Sequence, residues 1–552
     1  MEHSRLTKAF VFVLAFVLTF MTAGPVFAGN GTEYGDTATP IKHIVVIFQE
    51  NISFDHYFAT YPVAKNPSGE PRFLARPGTP TVNGLSGALL TSNPNFLNVS
   101  GNQAGATNPF RLDRSQAATA DQDHNYAPEQ TATDMGLLDL YPASTGTAGP
   151  PPNAPPSAVL TKGLNMGYYD GNTVTALWNY AQYFAMNDNS YSSNFGPSTP
   201  GALNLVAGQT NGIIDDTPNA AAKETDGGNG TKTLIGDADP IGDACSTSSA
   251  QVEMSSQNIG DLLTKAGVTW GAFYGGFNLS IVNPNGTTGC GRMSTSAYTG
   301  PTNGPEQDYI PHHAFFQYFA STANPQHTRP ASTAEIGNAG PANHEYDLND
   351  FYAALKYGNL PAVSFLKGVS IQDAHAGYSD PLDEQTFIVT VVNALEQSRF
   401  WNSTAVVVLY DDSDGWYDHQ MSPIVNQSTS PADTLTGPGA CGNGTNTSLA
   451  GANAVDNPHA QGRCGYGVRQ PLIVISPWAR ENFVDHTVTD QSSVIHFIED
   501  NWLGGQRLAG GSFDSVANSI SQMFDFSQSP WNANRVLFLN PSTGESVGPT
   551  PW

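Results

Sequence analysis

Glu50-Asn51, Asp411-Asp412 and the hydroxyl pair Ser198-Thr199 are the groups in this sequence best suited to chemistry. Glu50, Asn51, Asp411 and Asp412 offer oxygen donors only, a set that suits one hard divalent cation, Ca²⁺, Mg²⁺ or Mn²⁺. Ser198 lies in Gly196-Pro197-Ser198-Thr199-Pro200-Gly201, where rigid and permissive backbone positions bracket the hydroxyls and hold one oxygen at a fixed point. Pro200 stands where the nucleophile elbow of α/β-hydrolases needs its last glycine, so this is not a GxSxG motif. With no base nearby in sequence, such a serine would be activated by direct coordination to the metal ion. Loop histidines complete the set: His124, the pair His312-His313, and His375. Three of these gathered in a cleft would donate to phosphate oxygens and supply a proton to a leaving group. Taken singly, an acidic pair after a strand is an ordinary loop or helix cap, and Asp418-His419 reads as structural.

These groups have to be positioned by a framework. Near-continuous apolar runs at 43–48, 269–273, 362–366, 404–410 and 471–476 read as strands buried on both faces. Helical periodicity at 174–185, 259–266, 348–357, 384–398 and 492–502 separates several of them, the fourth introduced by Asp380-Pro381. Alternating strands and helices predict an α/β fold with a central, mostly parallel sheet flanked by helices. Glu50 and Asp411 each follow a predicted strand. Open parallel sheets bind ligands beyond the carboxyl ends of their strands, so the two acidic pairs are expected to converge. Long Gly-, Pro- and Ser-rich tracts at 67–108, 142–157 and 426–462 read as loop insertions.

Composition narrows the function classes. The 552 residues carry 22 Lys and Arg against 48 Asp and Glu, a formal charge of −26, which disfavours nucleic acid and anionic membrane surfaces as partners. Only 13% of residues are charged, while 55 glycines and 39 prolines point to long uncharged loops. Arg5 and Lys8 precede an apolar run ending near Met21, and Val26-Phe27-Ala28 offers small residues for signal-peptide cleavage after Ala28. That run is too short for an integral membrane span, which needs about 20 apolar residues. The expected organisation is a signal peptide over 1–28 and one large domain over 29–552, with room for a small insertion subdomain near 217–309. Export would put the protein in an oxidising compartment, periplasmic or extracellular, where four cysteines allow three pairings. Cys245 with Cys290 and Cys441 with Cys464 is the favoured one. Gly437 to Gly442 satisfies GxGxxG, but no strand precedes it and no helix follows, so it implies no nucleotide.

Residues 41–58, IKHIVVIFQENISFDHYF, resemble the opening strand and Glu-Asn metal pair of the bacterial phosphoesterase family that contains secreted phospholipases C and acid phosphatases. The segments 196–200, 410–419 and 469–477 follow in that family's order. The resemblance implies an alkaline phosphatase-like architecture. It also implies that Glu50, Asn51, Asp411 and Asp412 hold one metal ion, that Ser198 is nucleophile and ligand, and that His124, His313 and His375 line the phosphate pocket. Ser198 falls where phospholipase C members carry threonine, and Asp411-Asp412 replaces their Asp-Glu. Together with Ser321-Thr322-Ala323-Asn324-Pro325, these features are similar to the acid phosphatase branch. The expected activity is hydrolysis of small phosphate esters through a phosphoserine. A phospholipase C acting on phosphatidylcholine or sphingomyelin is the alternative, with Phe315, Phe316, Tyr318 and Phe319 offering an apolar rim. A rival of another class is a secreted binding protein stabilised by calcium at Asp226, Asp237, Asp239 and Asp243.

Overall fold

The computed structural model describes residues 37–147, 157–228, 230–296, 304–428, 430–437, 440–442, 463–529 and 533–548. The expected signal peptide lies outside the described residues, as do much of the 426–462 tract and part of the GxGxxG match.

Nine strands form the central sheet: β1 (His43–Gln49), β2 (Ala185–Tyr191), β3 (Trp270–Tyr274), β4 (Glu345–Asp347), β5 (Val363–Lys367), β6 (Thr404–Tyr410), β7 (Arg469–Ile475), β8 (Phe483–Asp485) and β9 (Thr489–Asp490). Their order is β4-β3-β5-β1-β6-β7-β2-β8, with β9 also pairing β2. Every neighbouring pair is parallel except β6 with β7 and β7 with β2. One reversed strand therefore sits inside an otherwise parallel sheet. The arrangement is the predicted α/β class, and its central strands explain why. His43–Gln49 and Thr404–Tyr410 are buried at every position, so both faces are covered and both must be apolar.

The helices that bear on the site are α1 (Phe54–Phe58), α2 (Thr175–Tyr183), α3 (Ser198–Ala207), α4 (Ile259–Ala266), α5 (Leu348–Tyr357), α6 (Pro381–Glu396) and α7 (Ser492–Trp502). Helix α6 starts as its sequence dictates: Asp380 accepts from the backbone N–H groups of Leu382 and Asp383, and Pro381 occupies the first turn. Residues 259–274, inside the stretch 217–309, contribute α4 and β3 to this framework, and the rest of that stretch carries strands of three small sheets.

Strand β2 was not foreseen. Its sequence, AMNDNSY, is too polar to read as a buried strand. The burial is tolerable because the polar groups are satisfied. Asn187 donates to the Thr487 carbonyl at 2.9 Å, while Asp188 accepts from Asn83 N–H at 2.7 Å and from His486 Nδ1 at 2.7 Å. Both disulfides join the expected pairs, Cys245–Cys290 and Cys441–Cys464. The aromatics Phe315, Phe316, Tyr318 and Phe319 are fully buried, so they build core and not an exposed rim.

Glu384 on α6 is a buried carboxyl that accepts from Tyr57 Oη at 2.9 Å and Tyr410 Oη at 2.7 Å. Burial outweighs these bonds and pushes its pKa from 4.5 up to about 8. The folded chain thus holds a proton that the unfolded chain releases. Glu384's contribution to stability is fully present below pH 4.5 and is lost as the pH rises to about 8. The slope across that window reaches about 1.4 kcal/mol per pH unit. Glu384→Gln removes the titration, so its melting temperature should gain on that of the native chain as the pH rises through this window. Thermal melts in a pH series give the result, and a constant gap would reject the assignment.

Candidate functional site

The parallel sheet directs every site segment to one edge. Glu50 and Asn51 follow β1, Asp411 and Asp412 follow β6, and the loop after β2 leads into α3, which opens with Ser198. Register places the two acidic pairs side by side, because Gln49 pairs with Tyr410 at the ends of β1 and β6. Asn51 has φ 59°, which turns the chain sharply at the strand end, and its N–H donates to Asp411 Oδ1 at 2.9 Å. Helix α3 can start against β6 only because residue 201 is glycine: a Cβ there would lie 2.2 Å from the Asp411 carbonyl oxygen. Gly196, at φ 117°, supplies the turn before it.

At the centre, Ser198 Oγ lies 3.0 Å from Glu50 Oε2 and 3.1 Å from Asp412 Oδ2. As the first residue of a ten-residue helix, Ser198 also stands at the positive end of its dipole, which favours an anion there. With the Asn51 amide turned to suit its neighbours, its nitrogen donates to Glu50 Oε2 at 2.6 Å and its oxygen accepts from His375 Nε2 at 3.2 Å. Glu50, Asn51, Ser198, Asp411 and Asp412 are all at most 2% exposed.

Burial is the largest influence on every carboxyl here, and it favours the neutral form. For Asp411, burial together with the charge of Glu50 raises the pKa well above the ordinary range. Asp412 is raised in the same way by burial and by Asp411. Glu50 goes the other way: burial pushes it up most strongly, but the charge and hydrogen bond of Lys367, with the Asp411 hydrogen bond and the His312 charge, together bring it below the ordinary value. Asp411 Oδ2 is buried with no hydrogen-bond partner. An orphaned carboxylate oxygen among several oxygen donors is what a hard divalent cation would satisfy, so these residues fit such an ion.

The three predicted histidines surround this centre. His124 Nδ1 lies 3.2 Å from Asp414 and 3.5 Å from Asp121, and its ring meets that of His375 edge-on at 5.8 Å. Burial would lower its pKa, but Asp412, Asp414 and Asp121 together hold it well above the ordinary value. His313 Nδ1 lies 3.5 Å from Glu50 Oε1, and burial with the adjacent Lys367 holds its pKa well below the ordinary value. Burial likewise lowers that of His375. His312 Nδ1 lies 3.6 Å from Asp239 Oδ1.

Other residues at this edge escaped sequence reasoning. Lys367 ends β5, the same signal that marked Glu50 and Asp411, yet a lone lysine after an apolar run reads as a strand terminus. Asp373 and Asp414 sit two residues from predicted site residues. Glu129 had no signal at all. It accepts from Gly196 N–H at 2.9 Å and Ser413 Oγ at 2.5 Å, tying the hydroxyl turn to the acidic loop, and burial pushes its pKa up to about 7. Asp418 and His419 stand apart in a buried network with Asp55 and Arg469. The four aspartates of the calcium rival have separate partners. Asp226 lies opposite Lys232 in the register of a two-stranded sheet, Asp237 takes the N–H and Oγ1 of Thr199, Asp239 takes the N–H groups of Thr247 and Ser248, and Asp243 takes Tyr309, Gln317 and His327.

An enzyme that hydrolyses phosphoric esters is the class this fold and site define: residues 41–503 match the Phosphoesterase family, and the chain belongs to that family. Among its relatives, phospholipase C A of Mycobacterium tuberculosis is 24% identical over 512 residues, covering 92% of this chain and 81% of the relative. The non-hemolytic phospholipase C of Pseudomonas aeruginosa is 23% identical, covering 84% of this chain and 54% of the relative. A solved protein of the alkaline phosphatase superfamily from Vibrio parahaemolyticus overlaps 74% of this chain and 72% of its own, at 11% identity and a TM-score of 0.29. At that score the overlap does not define the fold, which rests on the sheet order given above. No helix among the described residues is long and apolar enough to cross a membrane.

Proposed function

We propose that this chain hydrolyses small phosphate monoesters, in the manner of an acid phosphatase, with Ser198 as nucleophile. The observation that carries the reading is the Ser198 hydroxyl, seated at a helix N-terminus and within 3.1 Å of carboxylates from two different strand ends. Glu50, Asn51, Ser198, Asp411 and Asp412 would hold one divalent ion, with Ca²⁺, Mg²⁺ or Mn²⁺ favoured by the oxygen donors. Such an ion neutralises charge on the phosphoryl oxygens and lowers the pKa of the hydroxyl.

The protein's own groups do the rest. Ser198 Oγ, its proton already released, attacks phosphorus in line as the alkoxide and displaces the alcohol, forming a phosphoserine. His124, His313 and His375 donate to the phosphoryl oxygens, and one of them gives the departing alkoxide its proton. Water then attacks the phosphoserine from the opposite side, the same histidine accepting its proton, and Ser198 is regenerated with release of phosphate. The expected signal peptide and the two disulfides support a periplasmic or extracellular location.

A second reading is phospholipase C activity on phosphatidylcholine or sphingomyelin, supported by the names of the relatives. A direct comparison of p-nitrophenyl phosphate with phosphatidylcholine vesicles tests the choice. Faster turnover of the soluble monoester supports the proposal, and faster release of phosphocholine rejects it in favour of the second reading.

A further inference from the structure

The two oxygens of Glu50 face different neighbourhoods. Oε2 points to Ser198 and the proposed ion, whereas Oε1 bonds the Lys367 amine and lies 3.5 Å from His313 Nδ1. His313 Nδ1 is in turn 3.7 Å from Asp373 Oδ2. One ligand atom each from Glu50, His313 and Asp373 falls within 4.8 Å of the others, close enough to share a metal ion, and all three residues are buried. A carboxylate presenting one oxygen to each of two such sites is the bridging arrangement of two-ion phosphoesterases, whose ions stand about 3.5–4 Å apart. Here the second position has an amine beside it, delivered by the last residue of β5 and stacked over the Phe48 ring at 5.4 Å.

We propose that Lys367 is a built-in cation standing in for a second divalent ion, and that removing its amine turns Glu50, His313 and Asp373 into a second metal site. The proposal rests on the ion assigned beside Ser198. A tethered ammonium carries one positive charge and cannot be lost by dilution or chelation. It has no lone pair to offer a metal, and while it donates to Glu50 Oε1 it denies that oxygen to one. The site would then need only one exchangeable ion, and the charge Lys367 supplies would be present whatever the metal supply.

Equilibrium dialysis of the purified full chain against Mn²⁺, with metal counted per chain and low-temperature EPR of the bound ions, tests this. The native chain should bind one Mn²⁺, Lys367→Ala two with spin coupling between them, and Lys367→Arg one. Lys367→Ala combined with Asp373→Asn should return to one. A native chain that binds two ions overturns the proposal, as does Lys367→Ala binding no more than the native chain, or a second ion that survives Asp373→Asn. If the native chain binds none, the ion beside Ser198 fails. Lys367 still stands if Lys367→Ala gains one ion that Asp373→Asn removes, and falls if it gains none. If Lys367→Ala is unfolded without metal, Mn²⁺ should restore its circular dichroism spectrum with two ions bound. Failure to refold in Mn²⁺ overturns the proposal, since a divalent ion would then be unable to replace the amine.

Discussion

Ser198→Ala is expected to lower turnover of a phosphate monoester by on the order of 10⁴-fold or more, the scale seen when a covalent nucleophile is deleted. The size follows from what the hydroxyl does. It is the atom that would bond to phosphorus, and without it the two-step path closes, leaving only whatever direct attack by water the positioned charges allow. The fold should be little affected. Ser198 Oγ donates to Glu50 and Asp412, but its removal leaves no cavity larger than an oxygen atom and leaves the backbone of α3 unchanged. Rapid quenching with ³²P-labelled substrate adds an independent reading: the native chain should retain label on protein, and Ser198→Ala should retain none. Near-native turnover in the variant would reject the nucleophile whatever the family membership says.

Removing the divalent ion should have an effect of similar size. Chelation is expected to abolish hydrolysis, and one of Ca²⁺, Mg²⁺ or Mn²⁺ should restore it. The physical reason is the crowding of acidic groups: Glu50, Asp411, Asp412 and Asp373 are buried together against the Lys367 ammonium, burial and mutual repulsion hold the three aspartates toward the neutral form, and only a further cation lets them ionise. A phosphate dianion entering that setting is repelled unless a further cation is present. The ion should also stabilise the fold, by about 2.7 kcal/mol at a hundred times its dissociation constant. Activity and melting temperature followed through one chelator titration should therefore fall together. Full activity in excess chelator would sink the metal assignment.

What was legible in the sequence follows from how each element meets the sheet. Strands β1 and β6 lie in its middle, are buried on both faces, and so appear as uninterrupted apolar runs whose first polar residues mark the working edge. That made Glu50, Asn51, Asp411 and Asp412 readable without any contact map. Strand β2 does the same structural task with Asn187 and Asp188, because its polar groups are satisfied by partners 105 to 300 residues away. No local pattern carries that information, and the predicted helix at 174–185 ran into the strand as a result. The same holds for Glu129, whose importance lies in two loops it joins and not in its own neighbours. Lys367 was hidden for a different reason: its chemistry is defined by Glu50, more than 300 residues earlier in the chain.

The reversed strand has a bearing on how such enzymes diversify. Because β7 runs against β6, the connection from 411 to 468 departs from the working edge and comes back to that same edge, where Arg469 anchors it to Asp55 and Asp418. A loop with both feet on one rim can lengthen, shorten or change its residues without dragging a strand across the sheet. Selection can then rework that connection while the strand ends that carry Glu50 and Asp411 stay where they are.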